Sequence, residues 1–190
     1  MSLAPAGRWA REASPQLVVL LLAVAVNGLV SPAFFHLGVT DGRLFGGMVD
    51  ILIRGAPTIL LALGMALVIA TRGVDLSVGA VMAIAGAAAA VTVNLGHGWG
   101  AAVAIGLLAG LACGLWNGFL VTALRIEPIV ATLILMVAGR GVAQLITEGR
   151  IVTFVDPGLA WIGGGSVLGL PAPVVIAFAA MGTLLWLTRR

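Results

Sequence analysis

The sequence predicts an all-α, polytopic transmembrane helix bundle of about six spans, and three observations carry that prediction. Of 190 residues, 61% are apolar and only 9% are charged, with a mean hydropathy of +1.18. A water-soluble domain of this length has too little charge here to cover its surface. Stretches free of Asp, Glu, Lys and Arg run from Ala13 to Thr40, Gly55 to Thr71, Leu76 to Leu124 and Pro157 to Thr188, against the roughly 20 residues that cross a hydrocarbon core. These runs are continuous and rich in Ala, Leu and Gly, without the period of two of a barrel strand. Helices are therefore the solution that satisfies the backbone in lipid.

The spans are expected at about 16 to 36, 50 to 71, 75 to 94, 99 to 123, 128 to 147 and 171 to 188, within a single transmembrane domain covering residues 1 to 190. Arg8 and Arg11 before the first apolar run would also suit a cleaved signal peptide, but the length of that run and the five spans after it favour an uncleaved helix. Six spans place both termini on one side. Arg8, Arg11, Arg72, Arg125, Arg189 and Arg190 then share that side, and Arg43, Arg54 and Arg150 lie opposite. The excess of arginine makes the terminal side cytoplasmic. The inner turns, Arg72 to Val74 and Arg125 to Glu127, are too short to build an enzyme. The outer connections, Leu37 to Val49 and Glu148 to Leu170, are longer, and the second reads as flexible turn material around Asp156, Pro157 and Gly163-Gly164-Gly165-Ser166. Trp116 lies deep in the fourth span and is expected to pack on a neighbouring helix.

Composition also excludes chemistry. Every basic residue is Arg, so a phosphate-binding loop of the Walker type and a Schiff-base lysine are both ruled out. The net charge of +3 reads as topology charge and not as a nucleic-acid surface. Cys113 is the only cysteine, which removes internal disulfides and multi-cysteine metal motifs. His36 and His97 stand alone near span ends, as interfacial histidines do. Neither a metal nor a cofactor is expected.

Three features stand out against the apolar background. In the fourth span Gly106, Gly110, Gly114 and Gly118 recur every fourth residue, a ridge of three GxxxG steps suited to close approach of another helix. Between the second and third spans, Arg72-Gly73-Val74-Asp75-Leu76-Ser77-Val78-Gly79 places Asp75 where its carboxylate caps the next helix. The same segment also reads as a broken helix whose polar backbone lines a path. The third feature is polarity at depth. Arg140 lies twelve residues beyond Pro128, about 18 Å along a helix, with Gln144 one turn further and Thr132 two turns earlier. These are expected to form a polar stripe, faced by Asn117 from the fourth span. Snorkelling of Arg140 to the interface is the competing reading.

These residues carry a resemblance that covers essentially the whole chain. The string ALGMALVIATRGVDLSVGAVMAIAGA, from Ala62 to Ala87, resembles the signature region of inner-membrane permeases of ribose-type ABC sugar importers. From Trp116 to Val152, WNGFLVTALRIEPIVATLILMVAGRGVAQLITEGRIV is similar to the family segment in which Asn-Gly, a short turn, Thr-Leu and Arg-Gly follow in order. Asp41 to Phe45 and Ile151 to Phe154 are most similar to the galactofuranose-type branch. The resemblance implies a pair of permease subunits, two cytoplasmic ATP-binding subunits and a periplasmic sugar-binding protein, in the bacterial inner membrane. It carries Asp75, Ser77, Gly79, Asn117, Thr132, Arg140 and Gly141 as motif positions without fixing their roles. Members of the family continue well past this length, so the chain is expected to be an N-terminal part of a permease that does not transport alone. A secondary carrier or channel for a small polar solute is the competing function, although such carriers place carboxylates or histidines in the interior. A membrane enzyme would need paired carboxylates or a metal cluster, whereas Asp41, Asp50, Asp75, Glu127, Glu148 and Asp156 are scattered.

Overall fold

The structure, a computed structural model, describes residues 6–40 and 43–188. The side chains of Arg8 and Arg11, the Asp41-Gly42 pair and the Arg189-Arg190 pair lie outside the described residues. Helix α1 spans Ala6–Val30 and runs through Pro15. It stops six residues before the expected end of the first span, because Ser31 precedes Pro32 and the residue before proline is disfavoured in a helix. A 3₁₀ turn, Pro32–Phe35, and an antiparallel hairpin of β1, Gly38–Thr40, with β2, Arg43–Phe45, follow.

The remaining expected spans form long helices: α2, Gly47–Ala70; α3, Val78–Asn94; α4, Trp99–Thr122; and α5, Pro128–Ile146. The outer connection after α5 is ordered more fully than its turn-rich composition suggests. It contains α6, Pro157–Gly164, and a small hairpin of β3, Ser166–Val167, with β4, Leu170–Pro171. The final helix is α7, Ala172–Thr188. Three of these, α2, α4 and α5, are long and apolar enough to cross a membrane. Helices α3 and α7 have 17 residues each, about 25 Å at the usual rise.

The tight turns follow from local chemistry. Helix α2 closes with the Arg72 N–H bonded to the Ile69 carbonyl at 2.9 Å and the Gly73 N–H to the Val68 carbonyl at 3.0 Å. This crossed pair is the Schellman arrangement, and Arg72 takes the left-handed φ of 60° that it requires. Arg125 ends α4 in the same conformation, with φ 54°. In the small hairpin Leu168 and Gly169 have φ 53° and 85°, the two positive values of a type I′ turn. The Leu44 N–H donates to the Gly169 carbonyl at 3.1 Å and joins the two hairpins, so both long connections lie at one end of the bundle.

Asp156 supplies the first turn of α6 with acceptors, its Oδ1 receiving the N–H groups of Gly158 at 2.8 Å and Leu159 at 3.0 Å. Asp156→Ala is expected to cost about 0.5–2 kcal/mol locally. Hydrogen exchange should accelerate across 157–164 and leave α3 unchanged. Equal protection in the variant would show that the cap is not used.

Two packed groups make up the interior. Helices α3, α4 and α5 meet around Ile84, Ala87, Cys113, Leu135 and Ala143, and α2 meets α7 through Ala56, Val174 and Ala177. The α3–α5 contact is tight. A Cβ added to Gly139 would sit 2.8 Å from the Ala80 Cβ and 3.3 Å from the Ile84 Cδ1. The outer surface is largely apolar. Leu29 is 84% exposed, Leu107 70% and Val137 69%, surfaces that belong against lipid or protein and not water. Trp116 is 52% exposed, so within this chain it is not the buried packing residue expected from its depth.

Candidate functional site

The break between α2 and α3 gathers most of the buried polar groups. Residues 73–77 leave the helical path, because Asp75 and Ser77 have side chains that bond nearby backbone in preference to a helix ladder. Asp75 Oδ1 accepts from the Ser77 N–H at 2.7 Å and from the Ser77 hydroxyl at 2.6 Å. Asp75 therefore ties down Ser77, the residue just before α3, and it does not cap the helix amides directly. The third helix starts three residues later than expected for this reason.

Two neighbouring helices grip the break. Ser77 is fully buried, and its Oγ accepts from the Asn117 Nδ2 of α4 at 3.0 Å. On the other side Thr132 of α5, also buried, directs its hydroxyl to the Pro128 carbonyl at 2.8 Å and the Val74 carbonyl at 3.3 Å. Irregular backbone in an apolar bundle is tolerated only where protein holds it or where it lines a cavity; Asn117 and Thr132 hold this segment, and Asp75 lines a cleft. Asn117 Oδ1 is buried with no hydrogen-bond partner among the described residues. Asp75 Oδ2 likewise takes no hydrogen bond among them. Gly79 lies in the first turn of α3, and an added Cβ there would meet nothing within 4 Å.

Asp75 and Asn117 also line one end of a cleft of about 620 Å³ between α2, α3 and α4, whose walls are otherwise apolar. Gly106, Gly110 and Gly114 lie along it. The glycine ridge winds as it rises, because four residues turn a helix by about 400°. A Cβ on Gly106 would lie 3.4 Å from the Ala85 carbonyl and one on Gly110 3.9 Å from Val81, whereas at Gly114 and Gly118 it would meet nothing within 4 Å. Only the upper half of the ridge is used for α3–α4 packing in this chain.

The expected polar stripe on α5 divides. Thr132 turns inward to the break, while Arg140, Gly141 and Gln144 are exposed on the outside of the bundle. Asn117 faces Ser77 and not Arg140. Sequence reasoning passed over Gly139, although Ala131, Leu135, Gly139 and Ala143 are all buried at a spacing of four. That ladder of mostly small residues is the signal that marks the α3-facing side.

An apolar helical bundle with a polar break pinned between its helices is the architecture of a polytopic membrane protein. The chain belongs to the family described as "Branched-chain amino acid transport system / permease component", whose pattern it matches over residues 47–190. It is 58% identical over 176 residues to the galactofuranose transporter permease protein of Escherichia coli K12, covering 93% of this chain and 51% of that protein. It is 41% identical over 168 residues to the fructose import permease protein of Bifidobacterium longum, covering 85% and 47%. Against the ribose import permease protein of Escherichia coli K12 it is 37% identical over 172 residues, covering 88% and 51%. The chain thus spans about half the length of the curated relatives it matches. No solved structure matches it.

Proposed function

We propose that this chain supplies part of the translocation path of an ATP-driven importer for a neutral monosaccharide, with galactofuranose as the first substrate to test. The observation that carries this reading is the 58% identity to a galactofuranose permease over 93% of the chain, which includes the whole of the break and of α5. The family description names branched-chain amino acids, but the sugar permeases match this sequence over more than four fifths of its length. They are the more specific guide.

In this reading Asp75, Ser77, Asn117 and Thr132 hold the broken segment, and Gly79 keeps the first turn of α3 open to it. Arg140 and Gln144 line the path from the outer face of α5. An arginine about 18 Å along a membrane helix is costly against lipid and faces water or protein. The partners are a second permease subunit, ATP-binding subunits on the cytoplasmic side and a sugar-binding protein on the periplasmic side of a bacterial inner membrane. The arginine bias turns both chain ends and the Arg72 and Arg125 turns to the cytoplasm. ATP is hydrolysed on the partner subunit.

The test uses a full-length chimera in which this sequence replaces the matched half of the Escherichia coli galactofuranose permease, assembled with its partners. Arg140→Ala is expected to lower the initial rate of uptake at least about tenfold, equivalent to about 1.4 kcal/mol. Thermal stability in detergent should be unchanged, because the side chain is exposed. Normal uptake in the variant would place Arg140 outside the path.

A further inference from the structure

The cleft between α2 and the α3–α4 pair is open among the described residues. We infer that it seats a transmembrane helix of the permease polypeptide beyond the segment matched here, with a small-residue face on the glycine ridge and a hydrogen-bond donor set against Asp75.

Four observations converge on a helix. The cleft runs along α4 from Gly106 to Asn117, eleven residues and about 16 Å, or three helical turns. Its walls are notched on both sides, by Gly64 on α2 and by Gly114 on α4, where an added Cβ would meet nothing within 4 Å. Glycines in register let a second backbone approach closely, whereas an acyl chain would pack as well against leucine. The polar end decides between lipid and protein. Asn117 Oδ1 is a buried acceptor without a partner among the described residues, and Asp75, whose hydrogen bonds both fall on Oδ1, leaves Oδ2 open at the cleft. A donor for either oxygen is something a hydrocarbon tail does not provide and a helix carrying Ser, Thr, Asn or an amide terminus does. Finally, the relatives carry about as much polypeptide again as the part this chain matches, since the matches cover 47–51% of their length.

The inference concerns how the permease assembles, so its test does not use transport. The chain is expressed in the membrane with Cys113→Ala and a single new cysteine, either Gly114→Cys in the cleft or Leu115→Cys on the lipid side as the control. Gly114 has room for the new side chain. The unmatched half of the Escherichia coli galactofuranose permease is co-expressed as a separate, tagged polypeptide. The expected result is co-purification of the two pieces, with maleimide labelling lost at Gly114→Cys and retained at Leu115→Cys. Exchanging Gly64 and Gly114 for leucine, where an added Cβ meets nothing within 4 Å, should fill the cleft and abolish co-purification while this chain remains monodisperse. Co-purification with labelling at Gly114→Cys unchanged would overturn the inference, because the second half would then sit elsewhere. Failure to co-purify, or lipid retained in the cleft in the presence of the second half, would overturn it equally.

Discussion

Gly139→Leu is expected to be the most damaging single substitution in the α3–α5 contact. A Cβ alone would lie 2.8 Å from the Ala80 Cβ, closer than carbon atoms approach, and the remaining three carbons of leucine have no space between the helices. Overfilling a packed interior costs about 1–3 kcal/mol. Here the neighbouring atom belongs to a short side chain that cannot swing away, so the helix itself must move and the upper end of that range applies. The variant should lose its monodisperse peak in detergent or melt many degrees lower. Gly139→Ala should show a smaller loss of the same sign. Gly118→Ala is the control: it meets nothing and gains roughly 0.8–1.0 kcal/mol of intrinsic helix preference. A Gly139→Leu protein as stable as the parent would mean that α3 and α5 are not packed as described.

The second large effect is expected at Ser77. This hydroxyl is the node between Asp75 and Asn117, and Ser77→Ala removes it without leaving room for water. Hydrogen bonds between membrane helices average about 0.6 kcal/mol, but stranding a buried partner costs about 1–3 kcal/mol. The Asn117 amide, already lacking a partner at Oδ1, would lose its partner at Nδ2 as well. The larger figure therefore governs. Asn117→Leu added to Ser77→Ala should recover part of the loss, since replacing both partners by apolar groups is nearly neutral. A coupling energy of about 1 kcal/mol in the double-mutant cycle is expected. Strict additivity would show that the two side chains do not meet.

How much of this was legible in the sequence depends on the kind of interaction. The centres of α1, α2, α3, α4 and α7 lie within the charge-free runs, because lipid leaves the backbone few alternatives. The termini moved where a local rule outweighed hydropathy. Pro32 ended α1 early, and the Asp75–Ser77 pairing delayed α3. The outer connection after α5 reads as a loop from its glycines, yet the Asp156 cap and the paired strands around Leu168-Gly169 order it. Such short-range hydrogen bonds leave little trace in composition. At the site, the types and depth of Asp75, Asn117 and Thr132 singled them out, but their convergence on one break is a tertiary fact. Spacing along α5 suggested that Thr132, Arg140 and Gln144 share a face. Eight residues turn a helix through about 800°, or 80° beyond two full turns, and that rotation carries Thr132 inward while Arg140 points out. Gly139 lies about 100° around the helix from Arg140, against Ala80, and a glycine carries no hydropathy signal to mark that side.

The central claim, that this sequence forms a sugar path driven by ATP on a partner subunit, is tested most directly by uptake of labelled galactofuranose. The full-length chimera would be placed in vesicles with the ATP-binding subunit inside and the sugar-binding protein outside. Uptake that follows internal ATP and persists after the proton gradient is collapsed is the predicted result. Uptake that continues without ATP and stops with the gradient would contradict it and identify a secondary carrier.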